Sequence, residues 1–458
     1  MGGKLWSKAE QVSSSSELEE AVEAFTVGND PQIDSHLVIA DCLGSLAHAA
    51  CLKKAKLLTD HEFSVLRNGL QKIIKLRQED NFPIARAQED CHTAIEQWLT
   101  DEYGAIGKKV HTGRSRNDQV LTALRIYTRR KINQLAAKTI ELIDVLLEEA
   151  KNSTHLPMAG YTHMQPAMPM TLCIFLSAYA ESLLDDFEIL RNSYALNDQS
   201  PLGSAAGFGS ALPLDRHYSS QLLRFSRLQI NSLYCQNSRG KIEAAVLSAL
   251  VSIQNTMSKL ASDLLRFSSR ELGFLSLPQA MTTGSSIMPQ KRNPDVLELI
   301  RAKAANVWAS RTAVQQLATN LPSGYNRDYQ LLKEPIISSF AIVLTSLTMA
   351  SATMREAQWN EETLYGSCTA EIYAADLALE KAQQGIPFRD AYKEAMKDLA
   401  SVTVDKEFIK KRVDAYLTIG SMGQPAIAKL SNRLDVAKSI AQKWDDKEKE
   451  LIKNLLSL

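Results

Sequence analysis

Val120, Leu121, Leu124, Tyr127, Ile132, Leu135, Ile140, Ile143 and Leu147 keep roughly one helical phase along residues 118–152, with no glycine or proline among them. A near-3.6 period filled in with good helix formers predicts a single long helix. The same reading predicts further helices at about 170–197, 241–270 and 295–320. Prolines leave residues 84–156, 214–277, 295–321 and 336–386 untouched, and alternating β-type runs are few. The chain therefore reads as all-α.

Helices of this length exceed the common globular range and are best accommodated side by side in a bundle, buried on more than one face. The stretch KIEAAVLSALVSIQNTMSKLASDLL has such wide apolar coverage, and part of that surface is expected to meet other subunits. Changes in helix length divide the chain into three domains: a helical one over 1–110, a central long-helix bundle over 111–360 and a small helical one over 361–458.

Composition narrows the function. The 458 residues are 45% hydrophobic, enough for a large core, and 52 Lys and Arg balance 52 Asp and Glu. No global field favours nucleic acid or an anionic membrane, so any anion site is local. The basic run GKKVHTGRSR lacks the interleaved aromatics of a nucleic-acid surface. Six scattered cysteines without a CxxC pair argue against both a disulfide framework and a zinc site, and eight histidines show no metal-binding spacing. With no apolar signal region at the N-terminus and no run near eighteen apolar residues, a cytoplasmic protein without a metal or cofactor is expected.

Three polar clusters border the long helices. GSSIMPQKRNPD, at 284–295, sets two hydroxyls, two cations and an amide around two prolines, and reads as a mobile catalytic loop. It precedes a helix whose first turn offers unpaired N–H groups to an anion. In HTGRSRNDQ, at 111–119, Arg114, Ser115, Arg116, Asn117 and Asp118 join guanidinium forks to short polar side chains, equipment for gripping carboxylates; the plainer reading is a helix cap with solvated charges. In GYTHMQPAMP, at 160–169, His163 stands beside Thr162 and Gln165 in a turn. Some 36 residues of helix between Arg116 and His163 would span roughly 50 Å, so one subunit cannot bring both to one small ligand. If both bind it, the pocket is built from different subunits.

These clusters, in this order, resemble the signature regions of the fumarase/aspartase superfamily, and HTGRSRND with GYTHMQ and GSSIMPQKRNPD resembles its argininosuccinate lyase/delta-crystallin family over most of the chain. The resemblance implies a homotetramer with a twenty-helix core, four active sites shared between subunits, and reversible trans elimination of argininosuccinate to arginine and fumarate. It implies Ser285 as general base, with Lys291 favouring its alkoxide or the aci-carboxylate, and His163 paired with Glu298 to assist the leaving group. It assigns substrate contacts to Ser115, Arg116, Asn117, Thr162, Asn293, Tyr325, Gln330 and Lys333, and a lining position to His92 in EDCHT. Two departures stand out: GGKLW at 2–6 replaces the family's WGGRF, and NSRG at 237–240 replaces an acidic SDRD. An adenylosuccinate lyase, or a silent crystallin-like member, is the alternative reading.

Overall fold

The computed structural model describes residues 16–458, so the GGKLW segment lies outside the described residues. Two helices, α1 (Val38–Lys54) and α2 (Asp60–Gln78), lead into α3 (Arg116–Asn152). A β-hairpin follows, β1 (Pro157–Thr162) and β2 (Gln165–Thr171), and then α4 (Leu172–Asn197), α5 (Lys241–Phe267), α6 (Asp295–Leu317), α7 (Lys333–Glu356) and α8 (Ile427–Leu456). The four helices predicted from periodicity are α3 to α6.

Helix α3 starts where it does because Ser115 caps it. Its Oγ accepts from the Asn117 amide at 3.2 Å, and Asp118 Oδ1 accepts from the Ser115 amide at 3.0 Å. At 37 residues α3 is about 55 Å long. Leu124, Leu135, Ile143 and Leu147 are all buried on it in one continuous core, and the helix packs against α4, α7 and α8. Tyr127 meets Phe340 of α7 edge-on at 6.3 Å. Residues Arg327–Glu356, ending in α7, are long and apolar enough to cross a bilayer, yet 56% of their most apolar window is buried inside the fold. Among soluble folds that is what a core helix looks like.

The division at 110 and 360 stays a proposal, and α8 bears on it. After the small helices that follow 360, α8 returns to the central bundle, where Trp444 stacks on Tyr194 at 4.0 Å and Lys438 reaches Asp144 at 2.8 Å.

The hairpin is a local exception to the helical reading. Its register shifts between Ala159 and Tyr161, and His163 and Met164 form the tip with φ of 51° and 64°. A two-residue tip with both residues left-handed matches the twist of the strands, though it is strained for side chains other than glycine. Pro166 and Pro169 are tolerated because a two-stranded sheet has only edges.

Helices α5 and α6 run antiparallel. Gln254 Nε2 donates to the Ile300 carbonyl at 2.8 Å, and Arg311 Nε donates to Ser248 Oγ at 3.3 Å. Gly240 makes their close approach possible: at φ 79° it caps α5, and a Cβ there would land on the Cβ of Ala318. Gly240→Ala is expected to destabilise the fold by about 3 kcal/mol, from backbone strain and overpacking together. Urea unfolding of the variant measures it, and a change under about 0.5 kcal/mol would refute the close-packing account.

Candidate active site

The antiparallel helices sort the polar clusters by end. The C-terminal end of α5 carries Arg266, whose Nη2 donates to the Met164 carbonyl at 3.1 Å and whose guanidinium lies 4.0 Å from the centre of the Tyr161 ring. The start of α6, and the loop feeding it, lie at that same end. The 284–295 loop and the hairpin tip therefore share one end of the bundle, although the cavity at His163 is lined by no residue of the loop. Arg116 starts α3 at the far end, with the α5 N-terminus and the segment before α7.

At that far end one chain gathers Arg116, Asn117, Tyr325, Gln330 and Lys333 around a single cavity. Lys333 is buried between Asp34 at 2.6 Å and Asp30 at 3.0 Å; burial works against its charge, yet the two carboxylates hold its pKa above the ordinary lysine value. Gln330 Nε2 donates to Asp30 and, at 3.2 Å, to the Thr26 carbonyl. Arg116 pairs with Asp90, which also caps the helix Cys91–Tyr103 through the Thr93 amide at 2.9 Å. Ser115 Oγ accepts the Asn117 amide in the cap of α3, a role that leaves its O–H to donate elsewhere.

His92, expected on the lining, sits behind the wall instead. It is 4% exposed and donates Nδ1–H to Asp41 at 2.8 Å. The lining residues from EDCHT are its neighbours Glu89 and Asp90. Sequence reading passed over these two, together with Asp30 and Arg239; the signal was present in Asp90, a capping residue directly ahead of an apolar run. Asp34, Cys91 and His92 bring three potential metal ligands together, but Lys333 already holds Asp34, Asp41 holds His92, and burial pushes the Cys91 thiol well up. Those partners fit a structural cluster better than a metal centre.

Beneath the Arg114 cluster, His48 donates Nε2–H to the Thr112 carbonyl at 2.9 Å, and burial with Arg114 pushes its pKa down to about 3. His111 is pushed to about 4 by the same two causes. Both are neutral when folded and protonate on unfolding below pH 6.5, so stability is complete above that pH and falls as acid is added. His92, shifted upward, is charged in both states across this window. Stability should fall by up to about 1.4 kcal/mol per pH unit for His48 between pH 6 and 4. Denaturant titrations at several pH values test this, since His48→Gln should flatten the slope; an unchanged slope would count against it.

At the other end, Thr162 and His163 are exposed at the hairpin tip, and His163 opens onto a cavity lined also by Tyr161, Lys259, Asp263 and Arg266. The catalytic-loop candidate is closed at its base by Thr283 and Asn293, whose amides and carbonyls pair at 3.0 and 2.8 Å. Inside it, Ser285 Oγ accepts from the amides of Met288 at 3.1 Å and Ile287 at 3.3 Å. Asn293 Nδ2 donates to the Gly284 carbonyl at 3.4 Å. Lys291 is exposed within the loop, and Glu298 is exposed on the first turn of α6. A hydroxyl receiving two N–H donors is arranged to carry negative charge.

The NSRG departure is absorbed locally. Asn237 Oδ1 accepts from the Gly324 amide at 2.9 Å, Ser238 Oγ accepts from buried Arg125 at 3.3 Å, and Arg239 stacks over the cavity tyrosines.

Residues 14–309 match the family described as Lyase. The chain is 40% identical to the argininosuccinate lyase of Parabacteroides distasonis, covering 92% of this chain and 93% of that one. It is 40% identical to the argininosuccinate lyase of Thermotoga neapolitana, over 86% and 97%. Among solved structures, an EDDS lyase in complex with formate superposes with a TM-score of 0.75 at 22% identity, covering 93% and 90% of the two chains. The class II fumarase of Schistosoma mansoni superposes at 0.72 with 16% identity, over 91% and 94%, and shares the fold. By these matches over nearly its whole length, the chain belongs to the argininosuccinate lyase family of the fumarase/aspartase superfamily.

Proposed function

We propose that the chain cleaves argininosuccinate reversibly into arginine and fumarate by trans elimination, without metal or cofactor. The observation that carries this reading is the doubly hydrogen-bonded Ser285 Oγ, in a loop that also holds Lys291 and Asn293. A serine hydroxyl is too weak an acid to serve as a base at neutral pH unless its alkoxide is stabilised. The two backbone amides supply that stabilisation in kind, and Lys291 brings an ammonium to the same loop.

The alkoxide takes the proton from the succinyl carbon next to a carboxylate. The electron pair moves into that carboxylate as a dianionic aci-form, to which Lys291 and Asn293 donate. The carbon–nitrogen bond then breaks, its pair leaves with the guanidinium, and His163, paired with Glu298, assists protonation of the departing group. Arg116, Asn117, Ser115 and Thr162 hold the substrate's carboxylates, while Tyr325, Gln330 and Lys333 receive its arginyl part. His92 supports that pocket from behind, through Asp41.

Arg116 and His163 sit at opposite ends of α3, which supports active sites shared between subunits; that the assembly is a homotetramer around twenty long helices is what the family resemblance implies. Exposed apolar residues on those helices, Leu299 and Trp308 of α6 and Met349 of α7, give the subunits surface to bury. Six buried, unpaired cysteines fit a reducing, cytoplasmic setting. The full set of implied catalytic residues speaks against a silent crystallin-like role, and the likeness to argininosuccinate lyases over most of the chain speaks against adenylosuccinate. Purified protein given argininosuccinate should release fumarate, followed by ultraviolet absorbance. A folded tetramer that releases none would overturn the reading.

A further inference from the structure

The cations of the Arg116 cavity are not equivalent. Arg116 is paired with Asp90, and Lys333 lies between Asp30 and Asp34. Arg239 also lines this cavity and is 4% exposed, yet among the described residues it forms no ion pair and its Nη1 has no hydrogen-bond acceptor. Its guanidinium carbon lies 5.2 Å from the centre of the Tyr325 ring and 5.5 Å from that of Tyr329. Glu243, whose field reaches it, is already engaged by Arg125 Nη1 at 3.0 Å and by the Gly240 amide at 2.7 Å. With Ser238 and Gly240 on either side, the NSRG segment supplies no carboxylate of its own.

A buried cation without a counter-charge is costly, and in a binding pocket it is a standing demand for an anion. Ring faces lessen that demand without cancelling it, because they offer partial negative charge and no acceptor. We propose that Arg239 is a specificity-determining residue, the positive charge behind Tyr325 and Tyr329 that selects a ligand bearing a carboxylate on its arginyl part. The proposal rests on the argininosuccinate reading for the identity of the ligand, and it assigns to one residue the discrimination between an α-amino acid and its decarboxylated counterpart. The lost carboxylates at 238 and 240 are then part of the device, since either would compete with the ligand for Arg239.

The test uses L-arginine and agmatine, which differ only in the α-carboxylate, titrated calorimetrically into the intact protein. Wild type should bind L-arginine at least tenfold more tightly than agmatine. Arg239→Gln should weaken L-arginine ten- to a hundredfold and shift agmatine less than twofold, while Arg239→Lys should restore part of the preference. Equal weakening of both ligands would mark Arg239 as structural only and overturn the proposal. So would a wild type with no preference, a result that needs no variant to fold. Fumarate release by the wild type is read separately: if it fails while the arginine preference holds, the reaction assignment falls and the role of Arg239 stands.

Discussion

Ser285→Ala is expected to lower kcat by about a thousandfold or more, with KM and the melting temperature nearly unchanged, if the hydroxyl is the proposed base, since it does no packing in the exposed loop. The size follows from general-base catalysis, worth roughly 10² to 10⁴ in rate, in a reaction whose first step is removal of a weakly acidic carbon-bound proton. The alanine methyl leaves the Thr283–Asn293 bridge at the base of the loop intact, so the loop keeps its path. What disappears is the acceptor for the Ile287 and Met288 amides, two groups that are surface-accessible and can turn to water at little cost. Stopped-flow measurement of fumarate release separates the outcomes. A variant retaining more than a tenth of the wild-type rate removes Ser285 from the role of base, whereas a matched loss of rate and of tetramer would make it a structural residue.

The parts of the fold written in the sequence are those where one physical signal acts alone. Helix α3 was legible because its apolar residues hold one phase over ten turns and Ser115 and Asp118 supply a capping box at its start. Helix α8 is harder to read from sequence because its surface is rich in lysine, and its place shows in the structure, where Trp444 stacks on Phe187 and Tyr194 and Leu430, Leu434, Leu451 and Leu455 join the core. The hairpin escaped notice for a related reason. Its strands carry three prolines, and its tip uses His163 and Met164 in a conformation that sequence preferences assign to glycine or asparagine. Among site residues, Arg116, Asn117, Tyr325, Gln330 and Lys333 share one cavity, though they come from segments 200 residues apart. His92 illustrates the limit: which member of EDCHT faces a pocket depends on the helix start, and the cap falls on Asp90, turning His92 inward to Asp41.

Mixing two inactive variants, Arg116→Ala and His163→Asn, should restore activity to about a quarter of wild type when subunits exchange at random, because under the proposed sharing each site takes Arg116 from one chain and His163 from another. The two residues are separated by α3, which at 37 residues is about 55 Å long, several times the length of any substrate that a pocket of side chains can enclose. No proline or glycine interrupts the helix to fold it back. Ser153, which ends α3, and the hairpin that follows turn the chain into α4, which packs antiparallel along α3 without carrying His163 back toward Arg116. Neither variant disturbs the core: His163 is exposed at the hairpin tip, and Arg116 leaves Asp90 its capping bond to the Thr93 amide. Exchange is verified by mass-tagging one variant and resolving the mixed assemblies, and activity is read on the same sample. Mixed assemblies with no more activity than their parents would place both residues in one subunit's site, and the long helix would then have to bend in a way its sequence gives no reason to expect.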